Sequence, residues 1–370
     1  EQSYNWIFGT TSDTAPQSVN WATWPNDSFE FTAESAAIYA ESVFVLTDRL
    51  EVTVGGRYSE DKRSSLRLVV DPTTAEGTPR PSHVPSNDSI QLGDDSHFDY
   101  RASIMYDIAD DTSIFASLST GYMSGEVQSG TGSLLDASEN DSIEVGEKSS
   151  LLKNSLSVSL TAYESRYENL TTSLLFLIPE SDVYGSRSVP GGGVKSRGLE
   201  IESSWQPSEN TMLGASVTID DSEFEEFYKR YVYTETDGNA RITTLEDGSK
   251  TMDVSGLETP FAPDLTVALK ASHKMNLGEY GTITPSAVVY WSESYNTETV
   301  PYFWSNQSNF WTLDLGLGYS MARGGLSFQA YVTNATDEEY FTGSDTFSKE
   351  RAVVQLNDPR TWGIRIKLDF

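Results

Sequence analysis

Cysteine is absent from the 370 residues, and histidine is nearly so, occurring only at His83, His97 and His273. Without thiols there is no disulfide framework, no thiolate zinc site and no cysteine nucleophile. The three histidines show no ligand spacing, so no metal triad can be built on them. Long apolar runs are missing too. None exceeds five residues, as in Leu174 to Ile178, whereas a membrane-spanning helix needs about 20. A membrane protein made of strands stays open, because its lipid-facing stripe hides inside an alternating pattern whose mean hydropathy is polar. Basic side chains are few, 25 Lys and Arg against 55 Asp and Glu, giving a formal net charge of −30. Such a chain is poorly suited to neutralising phosphates, which argues against nucleic acid as a partner. Solvated acidic loops account for the charge most simply. The opening residues, Glu1 to Phe8, have neither a basic nor an apolar leader segment. Any secretory leader is therefore expected to have been removed or to belong to sequence upstream.

What is present is a strict two-residue alternation. Leu313, Leu315, Leu317 and Tyr319 alternate with Asp314, Gly316 and Gly318, which puts the apolar groups on one face of a strand. Ile364, Ile366, Leu368 and Phe370 alternate with Arg365, Lys367 and Asp369, and Leu326, Phe328, Ala330 and Val332 behave alike. The pattern recurs upstream at Leu50, Val52, Val54; at Ile114, Ala116, Leu118; at Leu156, Val158, Leu160; at Leu199, Ile201; at Leu213, Ala215, Val217, Ile219; and at Leu265, Val267, Leu269. Helical spacing fits almost nowhere.

The connections between these segments alternate between short and long. Short links are expected near 47–48, 109–111, 152–154, 207–210, 276–279 and 321–325, and long polar excursions over roughly 60–96, 123–140, 168–195, 220–261, 292–309 and 343–359. Outer-membrane barrels have this asymmetry, with tight periplasmic turns and large extracellular loops. About 14 strands are expected, counting Trp6 to Phe8 as the remnant of an earlier one; bacterial barrels use even counts. A soluble sandwich also alternates, but segments such as 49–60 and 154–168 exceed the 5 or 6 residues usual in soluble strands and suit the roughly 9 to 11 that cross a bilayer. Aromatics near strand ends, including Tyr58, Tyr106, Tyr122, Tyr167, Trp205, Trp291, Trp311, Tyr319, Trp362 and the terminal Phe370, read as membrane-interface girdles.

An enzymatic reading finds no footing. The segment Gly121-Tyr-Met-Ser-Gly125 is not a nucleophile elbow, and Gly191-Gly-Gly-Val-Lys-Ser-Arg-Gly198 lacks the spacing of a phosphate-binding loop. The acidic run Asp220, Asp221, Glu223, Glu225, Glu226 lacks the pattern of a calcium loop and reads as a solvated charge run. No cofactor is expected.

Several segments resemble the barrel of TonB-dependent receptors. IYAESVFVLTDRLEVTVGGRYSEDKR (Ile38 to Arg63) is similar to that family's strand, Thr-Asp-Arg-Leu turn and Gly-x-Arg-Tyr unit. FDYRASIMYDIADDTSIFASLSTGYMSG (Phe98 to Gly125) is similar to its paired strands ending in a Ser-x-Gly-Phe/Tyr-x-Ser-Gly rise. SIEVGEKSSLLKNSLSVSLTAYESRYENL and GVKSRGLEIESSW resemble two further hairpin halves, the second with the Ser-Arg-Gly-Leu-Glu pattern. VTNATDEEYF (Val332 to Phe341) resembles the Asn-Leu-x-Asp-x-x-Tyr signature with Ala335 in place of Leu, and DPRTWGIRIKLDF resembles the closing strand.

The resemblance implies an all-β, transmembrane antiparallel up-and-down barrel. Residues 1–370 would be one domain, the C-terminal portion of a barrel of 22 strands, with the N-terminal plug and the first strands absent from this chain. It implies residence in the bacterial outer membrane and import of a scarce nutrient (a siderophore-iron complex, a vitamin or a glycan) energised by TonB through the plug segment. Further implied partners are outer-membrane lipid and lipopolysaccharide, and barrel-assembly machinery reading the C-terminal Phe370. Aromatic loop residues are then the candidate ligand contacts: Tyr184, Tyr228, Tyr231, Tyr295, Tyr302 and Trp304, with Tyr233 and Phe303 beside them. Loop aromatics also pack loops together, so a structural role competes at each. The competing functions are a passive outer-membrane channel and a surface-binding protein built on a barrel.

Overall fold

Thirteen strands follow one another along the chain in the computed structural model, which describes residues 27–69, 89–125, 135–177, 184–230, 241–244, 250–300, 304–322, 325–348 and 351–368. They are β1 (Asp27–Thr47), β2 (Leu50–Val69), β3 (Ser89–Ala109), β4 (Thr112–Met123), β5 (Ser138–Ser150), β6 (Leu156–Leu177), β7 (Tyr184–Ser208), β8 (Thr211–Glu225), β9 (Leu265–His273), β10 (Thr282–Ser292), β11 (Phe310–Ser320), β12 (Leu326–Thr333) and β13 (Thr361–Leu368). Neighbours in this order pair antiparallel in a single sheet that runs from β1 at one end to β13 at the other, and the short piece Met275–Asn276 adds to β10. The Trp6 to Phe8 segment lies outside the described residues.

Register explains why the alternation matters. Partners across a ladder share a face, and Phe44, Val52, Ile104, Ala116, Val145, Ala162, Leu199, Ile219 and Leu265 are successive partners from β1 to β9. The band continues through Val217, Val267, Trp291 and Trp311, and through Leu317, Ala330 and Ile364. This belt is not an interior. Val145 is 48% exposed, Leu317 50% and Ile364 68%, whereas the buried apolar side chains among the described residues are Leu135, Phe224, Phe227, Met252, Val254, Tyr295 and Phe310, all at strand ends or in connections. A soluble sandwich would turn the Leu, Ile and Val of two sheets toward each other; here one sheet carries them outward. A contiguous apolar band of this extent is stable only against lipid or a partner surface.

The six short connections fall at the predicted places, for example at Asp110 and Asp111 between β3 and β4 and at Glu209 and Asn210 between β7 and β8. The long ones differ in extent. The excursion expected over 168–195 is mostly strand, because β6 and β7 stay paired from Leu156↔Trp205 up to Leu177↔Tyr184. Likewise β2 and β3 run well into the 60–96 stretch read as loop. Gly185, Ser186, Ser188, Pro190 and Gly192 read as loop in the sequence, yet the backbone ladder continues through them.

If the belt faces hydrocarbon, Ala116→Arg should destabilise the folded barrel by about 2–4 kcal/mol in lipid vesicles, while Ser117→Arg, on the opposite face beside Glu144, should cost far less. Denaturant titration of the two variants, read by electrophoretic heat modifiability, checks this; equal losses would contradict the assignment of faces.

Candidate functional site

The face opposite the belt is polar and half-buried. One of its rows is Thr53, Ser103, Ser117, Glu144, Tyr163, Gly198 and Asp220; the next is Arg101, Ser119, Ser142, Ser165, Ser196 and Ser222. The Ser-Arg-Gly-Leu-Glu stretch shows how one sequence serves two faces. Ser196 Oγ donates to Asp220 at 2.7 Å, and Tyr163 Oη donates to the same carboxylate at 2.6 Å. Gly198 leaves room for that ring, since a Cβ there would sit 2.8 Å from Tyr163 Oη and 2.2 Å from the Ile219 carbonyl. Arg197 and Leu199 point the other way: Arg197 donates to Asp221 through Nε at 2.9 Å and Nη2 at 2.6 Å, and Leu199 joins the belt.

Above this wall, the long connection after β8 folds on itself. Tyr228–Arg230, Ile242–Thr244 and Lys250–Asp253 form a three-stranded sheet. Phe224, Phe227, Met252 and Val254 make its small core, with Leu170, Val194, Ile242, Leu257 and Val300 packed around them. Phe224 and Val194 are register partners on the polar face, so this core sits on the inner side of the wall. A turn closes it. Asp253 accepts from Ser255 N at 2.9 Å and from Ser255 Oγ, which itself accepts from Phe227 N at 3.0 Å. Those hydrogen bonds, side-chain first, hold the Asp253 carboxyl below its usual pKa.

The connections after β10 and β12 meet in an aromatic cluster. Phe310 stacks on Tyr340 with centroids 4.1 Å apart, and Tyr290, Tyr295 and Phe261 extend the contact at 6.1, 6.4 and 5.8 Å steps. Tyr295 is 9% exposed and donates its hydroxyl to the Phe341 carbonyl at 2.8 Å. Burial pushes its pKa up to about 12, so the donor is retained throughout the neutral range. Asn334, the first residue of the Asn-Ala-Thr-Asp-x-x-Tyr stretch, is a clasp. Its N donates to Asp314 Oδ1 at 2.8 Å, its Nδ2 to the Glu338 carbonyl at 2.8 Å, and its Oδ1 accepts from Glu338 N at 2.9 Å. Asp337 accepts from Arg360 N and Nη2 at 3.0 and 3.2 Å, pinning the far end of the loop.

The residues singled out from sequence fall in several places. Tyr295 lies in the aromatic cluster, and Trp304 is half-buried next to the fully buried Ser305. Tyr228 is 51% exposed and belongs to the separate three-stranded sheet. Tyr184 opens β7 opposite Leu177. Tyr231, Tyr233, Tyr302, Phe303 and Phe370 lie outside the described residues. Of the girdle aromatics, Tyr58, Trp205, Trp291 and Tyr319 share the belt's face, with Trp291 opposite Trp311. Tyr319 donates to the Tyr280 carbonyl beside a short turn. Tyr122 instead stacks on His97 at 4.5 Å, near Asp99 and Glu139. Sequence reasoning missed Tyr290, Phe310, Tyr340 and Gln307. Tyr290 and Phe310 did carry a signal, because they occupy the polar-face parity of β10 and β11. Among the described residues, no three His, Asp or Glu side chains come together as a cation site.

Tyr295→Phe removes one hydroxyl and leaves the Phe341 carbonyl without it, a loss of about 1 kcal/mol. Amide exchange should rise locally at 341–344 with the barrel's global stability unchanged; no local change would mean that the hydroxyl is not holding that loop.

The chain resembles known proteins over nearly its whole length. The family model for TonB dependent receptor-like β-barrels matches residues 2–335. The pesticin receptor of Yersinia pestis is 24% identical over 350 residues, covering 92% of this chain and 44% of that receptor. The ferric-pyoverdine 358 receptor of Pseudomonas putida is 24% identical over 197 residues, covering 52% of this chain and 22% of its own length. Among solved structures, the ferric yersiniabactin uptake receptor FyuA from Yersinia pestis superposes with a TM-score of 0.70 at 20% identity, over 93% of this chain and 47% of that one. The siderophore receptor PiuA from Acinetobacter baumannii gives 0.68 at 15%, over 91% and 43%. The chain thus spans less than half the length of the receptors it matches so broadly. With that family model matching residues 2–335, and with the fold to go with it, this chain belongs to the TonB-dependent receptor β-barrel family.

Proposed function

We propose that this chain forms part of the wall and of the extracellular mouth of a bacterial outer-membrane receptor that imports a ferric siderophore with energy delivered by TonB. The observation that carries the reading is the sheet itself: one face apolar and exposed across thirteen strands, the other polar, with elaborate connections on one side only. The relatives named for ferric pyoverdine and ferric yersiniabactin favour iron chelates over the vitamin or glycan alternatives. The iron arrives already chelated, so the wall needs hydrogen-bonding and aromatic surface rather than metal ligands of its own. The remaining wall and the plug through which TonB acts belong to sequence outside these 370 residues. Lipid and lipopolysaccharide bathe the belt. The receptor family favours this reading over a passive channel or an enzyme.

The full receptor, expressed in an iron-starved bacterial host stripped of its own siderophore receptors, should restore growth with at least one member of a panel of ferric hydroxamate, catecholate and mixed-ligand siderophores. Rescue should vanish when TonB is deleted. Rescue that survives loss of TonB would indicate a passive channel, and rescue by cobalamin or oligosaccharide alone would replace the cargo.

A further inference from the structure

The connections after β8, β10 and β12 are separate in sequence, yet hydrogen bonds tie each to the next. Phe261 N, at the end of the first, donates to the Asn296 carbonyl in the second at 2.8 Å. Val300 of the second packs against the small core of the first. The second and third are joined more densely. Tyr295 Oη donates to the Phe341 carbonyl, Phe341 N donates to Gln307 Oε1 at 2.8 Å, and the hydroxyls of Thr297 and Ser344 lie 2.7 Å apart. The polar groups in this seam are dry: Thr297 is 4% exposed, Ser305 0% and Gln307 7%. Parting the loops would strand those donors and acceptors away from their partners, which opposes separation more strongly than loss of apolar contact alone. The seam is also rooted in the wall, through Asn334 N on Asp314 of β11 and through Tyr290 of β10 against Phe310.

We infer that these three connections act as one preassembled wall of the mouth, held by the Tyr295 and Asn334 joints, and that cargo is captured and passed inward without their separating from one another. Tyr295 and Asn334 are then positioning residues rather than ligand contacts. The inference builds on the import reading for its consequence in transport, but the unity of the three loops is a property of the protein whatever it carries.

The absence of native cysteine makes the test clean. In the full receptor, the double substitution Thr297→Cys and Ser344→Cys should form a disulfide in outer-membrane vesicles, and the oxidised receptor should bind and import the ferric siderophore that supports the wild type within twofold of the reduced one. Transport blocked on oxidation and restored by reductant would overturn the inference, because it would show that the loops part during the cycle. A cargo-independent arm uses Asn334→Ala. Its amide hydrogen exchange should accelerate together at 334–341, at 295–300 and 304–307, and at 257–261, while β4 to β7 stay protected. Acceleration confined to 334–341 would show three independent loops and overturn the inference even if no siderophore is ever found. Failure of every siderophore with both oxidised and reduced receptor would count against the import reading instead, leaving the exchange result to decide this one.

Discussion

A peptide group in hydrocarbon has no water to bond, so each must find its partner within the protein. The antiparallel ladder meets that requirement here, and the rest of the molecule follows from it. Once neighbouring strands are locked in register, side-chain parity is no longer free, since slipping by one residue would turn every Leu, Ile and Val of a strand to the wrong face. The continuity of partners from Phe44 to Leu265 shows nine strands obeying one register without a break in the band. The polar face inherits the complementary positions, which is why Ser196 and Tyr163 can converge on Asp220 while Arg197 and Leu199, on either side of Gly198, face outward.

Folding in the loops obeys the opposite logic. There water is available, and a connection keeps a fixed shape only if it buries something. The connection after β8 builds a core of Phe224, Phe227, Met252 and Val254; those after β10 and β12 bury rings and hydroxyls in a common seam. Stability in the mouth therefore rests on a handful of side chains, whereas stability in the wall is spread over the whole backbone ladder.

How much of this was legible in the sequence depends on which constraint wrote the residues. The belt was legible because lipid demands an apolar side chain at every second position, and the tight turns were legible because Asp48, Asp110, Asp111 and Asn210 interrupt that pattern. The upper parts of β6 and β7 were not, since the Gly, Ser and Pro residues between 185 and 192 read as loop although the backbone ladder continues through them. The mouth was the least legible. Tyr295 stood out as an aromatic in a polar loop, but its partner Phe341 is 46 residues away, and nothing local announces such a contact. Asn334 was visible through its motif, although the motif does not say that the residue clasps Asp314 and Glu338.

The most direct measurement of the central claim uses single cysteines placed in turn at residues 113–118 of β4, each labelled with an environment-sensitive fluorophore in lipid vesicles containing a quencher confined to the acyl chains. The account predicts quenching with a two-residue period, strong at Ile114, Ala116 and Leu118 and weak at Ser113, Phe115 and Ser117. Uniform quenching, or none at any position, would contradict it.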